Sequence, residues 1–198
     1  MQRTPFHNNS FFQGNMIELY YVYVLSIMVF VGAVLTTALF FQFAYHELPC
    51  PLCLLQRVAY FGICFSAFLT LRNGYSLRHE GLMLLVTVLL LIISTRQTLL
   101  DIYPREGHQY IGTAIFGLHM PVWSIVISVF LILLYAMKCC IFGSVNNLER
   151  VRIESYPTLK KISVIIMWCI IILSAVNLVA SFLQCGFHSC HTSGYQLL

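Results

Sequence analysis

The chain has 198 residues, 59% of them hydrophobic and only 9% charged, with a mean hydropathy of +0.82. No soluble domain solvates such a surface, so the composition predicts an integral membrane protein. The net charge of +4, from 11 basic and 7 acidic residues, comes with no basic stripe interleaved with aromatics and no phosphate-cradling glycine loop, which excludes nucleic acid as a partner.

Residues 1–19 are polar and aromatic and lack a short apolar core followed by a small-residue cleavage site, so no cleavable signal peptide is expected. A spanning helix needs about 20 apolar residues, and five stretches qualify: 20–45, 54–71, 82–100, 122–142 and 162–184. They are continuously apolar rather than alternating, which predicts helices and not a membrane barrel. The expected fold is an all-α membrane protein, a four-helix transmembrane bundle over residues 20–142 with a fifth transmembrane helix at 162–184. A basic loop at 143–161 joins them, 1–19 precedes them, and a cysteine-containing tail at 185–198 follows.

Basic residues collect in loops that stay in the cytoplasm. With the N-terminus inside, Arg3, Arg72, Arg78, Lys138, Arg150, Arg152, Lys160 and Lys161 fall on the cytoplasmic side, and Arg105 is the one basic residue of an outer loop. Arg57 and Arg96 lie within outer halves of helices. Five spans then place residues 46–53, 101–121 and the tail from 185 together on the outer side.

Cys50-Pro51-Leu52-Cys53, with Arg57 four residues later, stands where the first apolar stretch ends and the second begins. Cysteines so spaced can close a small disulfide ring, and the thiolate formed on opening it gains from a helix N-terminus and a nearby cation. A helix starting near Cys53 supplies the first, and Arg57, one turn on along the same face, supplies the second. The pattern points to electron transfer between thiols and something held in the membrane. Half of a metal site and two structural cysteines are the other readings. Arg57 is a functional candidate because a charge in a spanning segment is costly, the alternative being a side chain that snorkels to the headgroups.

The second outer pair, Cys185 and Cys190, encloses Gly186 and His188 in a short polar tail. It is read either as a static staple or as a mobile partner that exchanges disulfides with the first pair, in an oxidising compartment such as the bacterial periplasm. Cys64 and Cys169 lie within helices as small hydrophobes, and Cys139 and Cys140 lie at the cytoplasmic end of the fourth helix.

These residues resemble the DsbB family, the bacterial disulfide bond formation protein B. The likeness is carried by Cys50, Cys53 and Arg57 before and within the second helix, by Gly117-Leu118-His119-Met120-Pro121-Val122-Trp123 leading into the fourth, and by the four-helix arrangement over about residues 20–142. The resemblance implies a bacterial inner-membrane thiol:quinone oxidoreductase that reoxidises a periplasmic DsbA-like thioredoxin-fold protein and passes electrons to ubiquinone or menaquinone. It places the quinone near the outer end of the second helix, with Arg57 stabilising the charge that develops on its oxygen. Cys50 is expected as the more exposed sulfur and Cys53 as the quinone-facing thiolate. The chain departs from the family pattern in that residues 101–121 hold no cysteine, so Cys185 and Cys190 take the second pair's place by role and not by aligned position. Some DsbB-like sequences end in a cysteine-containing tail similar to this one, which closes on Tyr195-Gln196-Leu197-Leu198.

Ile111, Ala114, Ile115 and Leu118 recur at helical spacing, as in a short interfacial helix roofing the quinone, although Gly112 and Gly117 suit an ordinary loop. His119 and His46 lie close enough in the topology to exchange protons with reduced quinone, the other reading for both being an ordinary exposed interfacial histidine. Met120, Trp123 and the phenylalanines of the second helix are expected to pack, and Arg96 faces either the pocket or the headgroups. Two other functions compete. A vitamin K epoxide reductase-like enzyme is disfavoured by the early position of the Cys50–Cys53 motif. A metal-handling protein would use Cys50, Cys53, Cys185, Cys190 and His188, whose thiolates suit copper(I) or zinc.

Overall fold

A computed structural model of the chain describes residues 8–102, 114, 116–142 and 153–186. Helices α1 (Asn8–Ala44), α2 (Pro51–Asn73), α3 (Leu77–Ile102), α4 (Met120–Phe142) and α5 (Pro157–Cys185) follow in order, with one turn of 3-10 helix at Ile153–Ser155 before the last. All five are long and apolar enough to cross a membrane. With 37 residues α1 is about 55 Å long at the usual rise, well beyond the hydrocarbon core, so it continues past the apolar stretch into the polar residues before it.

The helix ends follow local chemistry. Pro51 occupies the first turn of α2, where its missing N–H is no loss, and Cys50 caps that turn by accepting the Cys53 N–H on its Sγ at 3.0 Å. Gly74, at φ 86°, ends α2 and donates its N–H to the Thr70 carbonyl at 2.9 Å. Pro157 and Gly186 bracket α5 in the same way.

Helix α2 is central: it packs on α1, α3 and α5, while α4 packs on α3 and α5 also packs on α1. Gly62 brings α2 close to α3, since a Cβ there would lie 2.9 Å from Val86 Cγ1. One core cluster gathers Val31, Leu35, Ala59, Ile63, Leu90 and Leu131, and a second gathers Tyr20, Tyr21, Val24, Met28, Leu71 and Phe142. The outward faces stay apolar, with Val58, Leu85, Ile92, Ile165 and Leu178 exposed, as a lipid-facing surface requires.

Inside this apolar shell lies an unusual set of buried polar side chains: Gln42, Gln56, Arg57, Glu80, Gln97, Ser124, Lys138, Asn177 and Gln184. In a membrane these must satisfy one another. At one end, Lys138 of α4 pairs with Glu80 of α3, the Tyr20 hydroxyl donates to the same carboxylate, and the ammonium lies 4.4 Å from the Tyr135 ring centroid. Lys138, counted from sequence among the cytoplasmic basic residues, is therefore only 4% exposed and neutralised within the bundle, because it sits on the α4 face that meets α3. Arg72, Arg78, Lys160 and Lys161 are exposed near the same end. The Tyr156 hydroxyl, donating to the Gly14 carbonyl at 3.1 Å, fixes the start of α5 beside α1 there. Arg3, Arg105, Arg150 and Arg152 lie outside the described residues. The antiparallel helices bring the Cys50–Cys53 motif and Cys185 to the opposite end.

Candidate functional site

Cys50 and Cys53 form a disulfide across the first turn of α2, with their Cα atoms 4.9 Å apart. The order of exposure is the reverse of that expected from sequence: Cys50 is 7% exposed and Cys53 is half-buried. The capping geometry explains it, since the Cys50 sulfur turns inward over the helix end to reach the Cys53 N–H. The side-chain nitrogen of Gln97, from α3, donates to both sulfurs at 3.2 Å each. Gln97 Oε1 accepts from Gln56 Nε2 at 2.9 Å, and Gln56 Oε1 accepts from the Ser124 hydroxyl at 3.3 Å. The disulfide is thus the end of a polar chain running through α3, α2 and α4.

Arg57 is 8% exposed and held inside the bundle, so it does not snorkel. Its Nη1 donates to Gln42 Oε1 at 2.5 Å and to Asn177 Oδ1 at 3.0 Å, and its Nη2 donates to the Ala38 carbonyl at 3.1 Å. Helix α5 therefore supplies one of the groups that hold the guanidinium.

Cys53, Gln56 and Arg57 form the polar end of a cavity of about 420 Å³ that lies between α1, α2 and α4. Its other walls are mostly apolar and aromatic, among them Phe30, Phe41, Tyr60, Met120 and Trp123, with Thr37, Gln42, Glu47 and Ser124 as further polar side chains. Met120 and Trp123, expected only to pack, line this cavity because α4 leans on α3 and turns its first turn toward the space beside α1. The phenylalanines of α2 are not on its wall. Phe116, 92% exposed, stands at the cavity edge with its ring 6.5 Å from that of Trp123.

His119 is half-buried at the start of α4, where its carbonyl accepts the Val122 N–H at 3.0 Å, and it does not line the cavity. His46 is exposed at φ 56°, just past α1, and borders a separate apolar groove between α1 and α5. Arg96 is exposed while its neighbour Gln97 faces inward. Of the expected interfacial helix, residues 110–113 and 115 lie outside the described residues, and Phe116 and Gly117 form a turn with positive φ at both.

Cys185, the last residue of α5, is 9% exposed and disulfide-bonded. The adjacent Gln184 donates from Nε2 to the Pro49 carbonyl at 2.8 Å, which ties the end of α5 to the residue just before Cys50. Cys190 and His188 lie outside the described residues. Cys64 is buried, and Cys139, Cys140 and Cys169 are exposed; all four are free thiols. Among the described residues no three His, Cys, Asp or Glu side chains gather to hold a metal ion.

The structure thus joins Cys50, Cys53 and Arg57 at one site and adds Gln42, Gln56, Gln97, Asn177 and Gln184, which sequence reasoning missed. The available signal was a carboxamide inside an apolar span, a group that has to find a hydrogen-bond partner there. Residues 21–109 match the family described as disulfide bond formation protein DsbB. That segment contains Cys50, Cys53 and Arg57 and ends before Gly117–Trp123 and α5. No curated protein and no solved structure matches the chain.

Proposed function

We propose that this chain, which carries a DsbB family domain over residues 21–109 and with it a role in disulfide bond formation, is a protein-dithiol:quinone oxidoreductase. The observation that carries the proposal is the Cys50–Cys53 disulfide at the edge of an apolar cavity whose wall includes Cys53 and a buried arginine. A ubiquinone or menaquinone fits the residues present: the cavity has the size and largely apolar lining of a small-molecule site, with Cys53, Gln56 and Arg57 gathered at the disulfide end. The quinone, as second substrate, takes up two electrons and two protons as the disulfide re-forms.

The residues divide the remaining work. The reduced partner first exchanges with the Cys185–Cys190 disulfide, leaving the partner oxidised and the tail pair as two thiols. A thiolate of the tail pair then attacks Cys50, the Cys50–Cys53 bond breaks, and Cys53 leaves as a thiolate on the cavity side. The second tail thiol displaces Cys50, so the tail disulfide re-forms and the Cys50–Cys53 pair holds two thiols. Arg57, always protonated and fixed by Gln42, Asn177 and Ala38, stabilises negative charge at this end of the cavity.

In this reading residues 20–142 are the four-helix core and 143–161 a cytoplasmic loop. The 162–184 helix and the 185–198 tail then carry Cys185 and Cys190 to the periplasmic face of the inner membrane. Those two form the pair that meets a DsbA-like thioredoxin-fold protein, and the contact between Gln184 and Pro49 supports their delivery beside Cys50. The test is oxidation of a reduced thioredoxin-fold dithiol protein by the purified chain, which should require added quinone. Cys185→Ala should accumulate a mixed disulfide with that protein through Cys190. Oxidation that proceeds equally well without quinone overturns the oxidoreductase reading, and full turnover by Cys185→Ala/Cys190→Ala reduces the tail pair to a staple.

A further inference from the structure

We propose that Gln97 is a catalytic residue of the Cys50–Cys53 centre, donating a hydrogen bond to whichever sulfur becomes the thiolate when the disulfide opens. The proposal rests on that pair being the redox centre. The geometry has three parts. The Gln97 side-chain nitrogen is the same distance, 3.2 Å, from both sulfurs. It is 6% exposed, so water does not compete for the donor. Its orientation is fixed from behind: Gln97 Oε1 accepts from Gln56 Nε2 at 2.9 Å, and Gln56 Oε1 accepts from Ser124 Oγ at 3.3 Å. Because the oxygen of Gln97 is held by a donor, the NH₂ end has to face the sulfurs.

A disulfide sulfur is a weak acceptor, whereas a thiolate carries a full charge. The same hydrogen bond is therefore stronger in the opened state than in the closed one, which is the condition for a group to assist the step. In the balanced reaction an incoming thiolate forms a bond to one sulfur, the Cys50–Cys53 bond breaks, and the electron pair of that bond stays on the other sulfur. The Cys53 N–H reaches Cys50 Sγ, so backbone capping favours charge on Cys50. Gln97 supplies a donor that serves Cys53 as well, and Cys53 is the sulfur on the cavity wall. The group thereby makes the cavity-facing sulfur a competent leaving group.

The test uses the full-length chain in detergent without quinone. The oxidised fraction of the Cys50–Cys53 peptide is measured by mass spectrometry across glutathione buffers, together with the pH dependence of Cys53 alkylation. Gln97→Leu should shift the equilibrium about tenfold toward the disulfide and move the alkylation midpoint up by about one pH unit. Gln97→Glu, similar in volume but presenting a carboxylate, should shift both further at neutral pH. In the unmodified chain the side-chain amide resonance of Gln97 should move when the pair is reduced. Wild-type equilibria and alkylation profiles in the folded variants, or an amide resonance indifferent to reduction, overturn the proposal. Since no quinone is present in these measurements, an unmodified chain that fails to reduce quinone while the Gln97 variants still show both shifts supports the role of Gln97 and counts only against the oxidoreductase reading.

Discussion

Replacing Arg57 with Met separates charge from packing at the site. The guanidinium donates to Gln42, Asn177 and the Ala38 carbonyl at 2.5, 3.0 and 3.1 Å, and it lines the cavity beside Cys53. A hydrogen bond from a charged group is worth about 1.5–3 kcal/mol. If Arg57 places one such bond on the acceptor oxygen in the transition state, its loss lowers kcat/KM for quinone by about 10- to 150-fold at about 1.4 kcal/mol per tenfold. Arg57→Met should also weaken the fold by about 1–3 kcal/mol, because buried acceptors on α1 and α5 lose their donor. Arg57→Lys keeps the charge without the fork and should fall between the two. The assay is quinone reduction at graded quinone concentration by detergent-solubilised protein, with thermal unfolding measured alongside. A destabilised Arg57→Met protein whose kcat/KM for quinone stays within twofold of wild type would refute the reasoning and leave Arg57 as a structural tie between helices.

Cys50→Ala and Cys53→Ala should each abolish thiol-dependent quinone reduction while membrane insertion persists, read by turnover and by trypsin resistance, since the pair works as a unit. Asn177→Leu removes the α5 acceptor of Arg57 and should raise the apparent KM for quinone about three- to tenfold, with a stability loss of about 1 kcal/mol in thermal unfolding. Lys138→Met leaves the Glu80 carboxylate, 1% exposed, without its cation. It should cost about 3–5 kcal/mol in denaturant unfolding, and Glu80→Gln added to it should recover most of that loss.

The five helices were legible because each is a continuous apolar run, and the meeting of Cys50, Cys53 and Arg57 at one site because their spacing puts all three on the first turns of one helix. The ends were less legible. Helix α1 begins at Asn8 and not near residue 20, since polar residues outside a bilayer remain helical, and α2 begins at Pro51, which turns the Cys50 sulfur inward. The partners of the site were hidden for a different reason. In a membrane helix the lipid-facing and core-facing residues are both apolar, so no amphipathic stripe marks the inner face. Nothing in the sequence therefore tells that Gln97 meets sulfurs more than 40 positions away, or that Asn177 reaches Arg57 across 120. Met120 and Trp123 read as packing residues for the same reason, and only the lean of α4 on α3 turns them toward the cavity.

The central claim is that the Cys50–Cys53 pair hands its electrons to a quinone in the adjoining cavity. It is tested most directly by reducing the purified chain, removing the reductant under anaerobic conditions, and adding one equivalent of quinone. The account predicts that quinone absorbance falls as the Cys50–Cys53 disulfide re-forms, one quinone per disulfide by mass spectrometry, and that Arg57→Met slows both together. Quinone left unreduced, or reduced while Cys50 and Cys53 remain thiols, would contradict it.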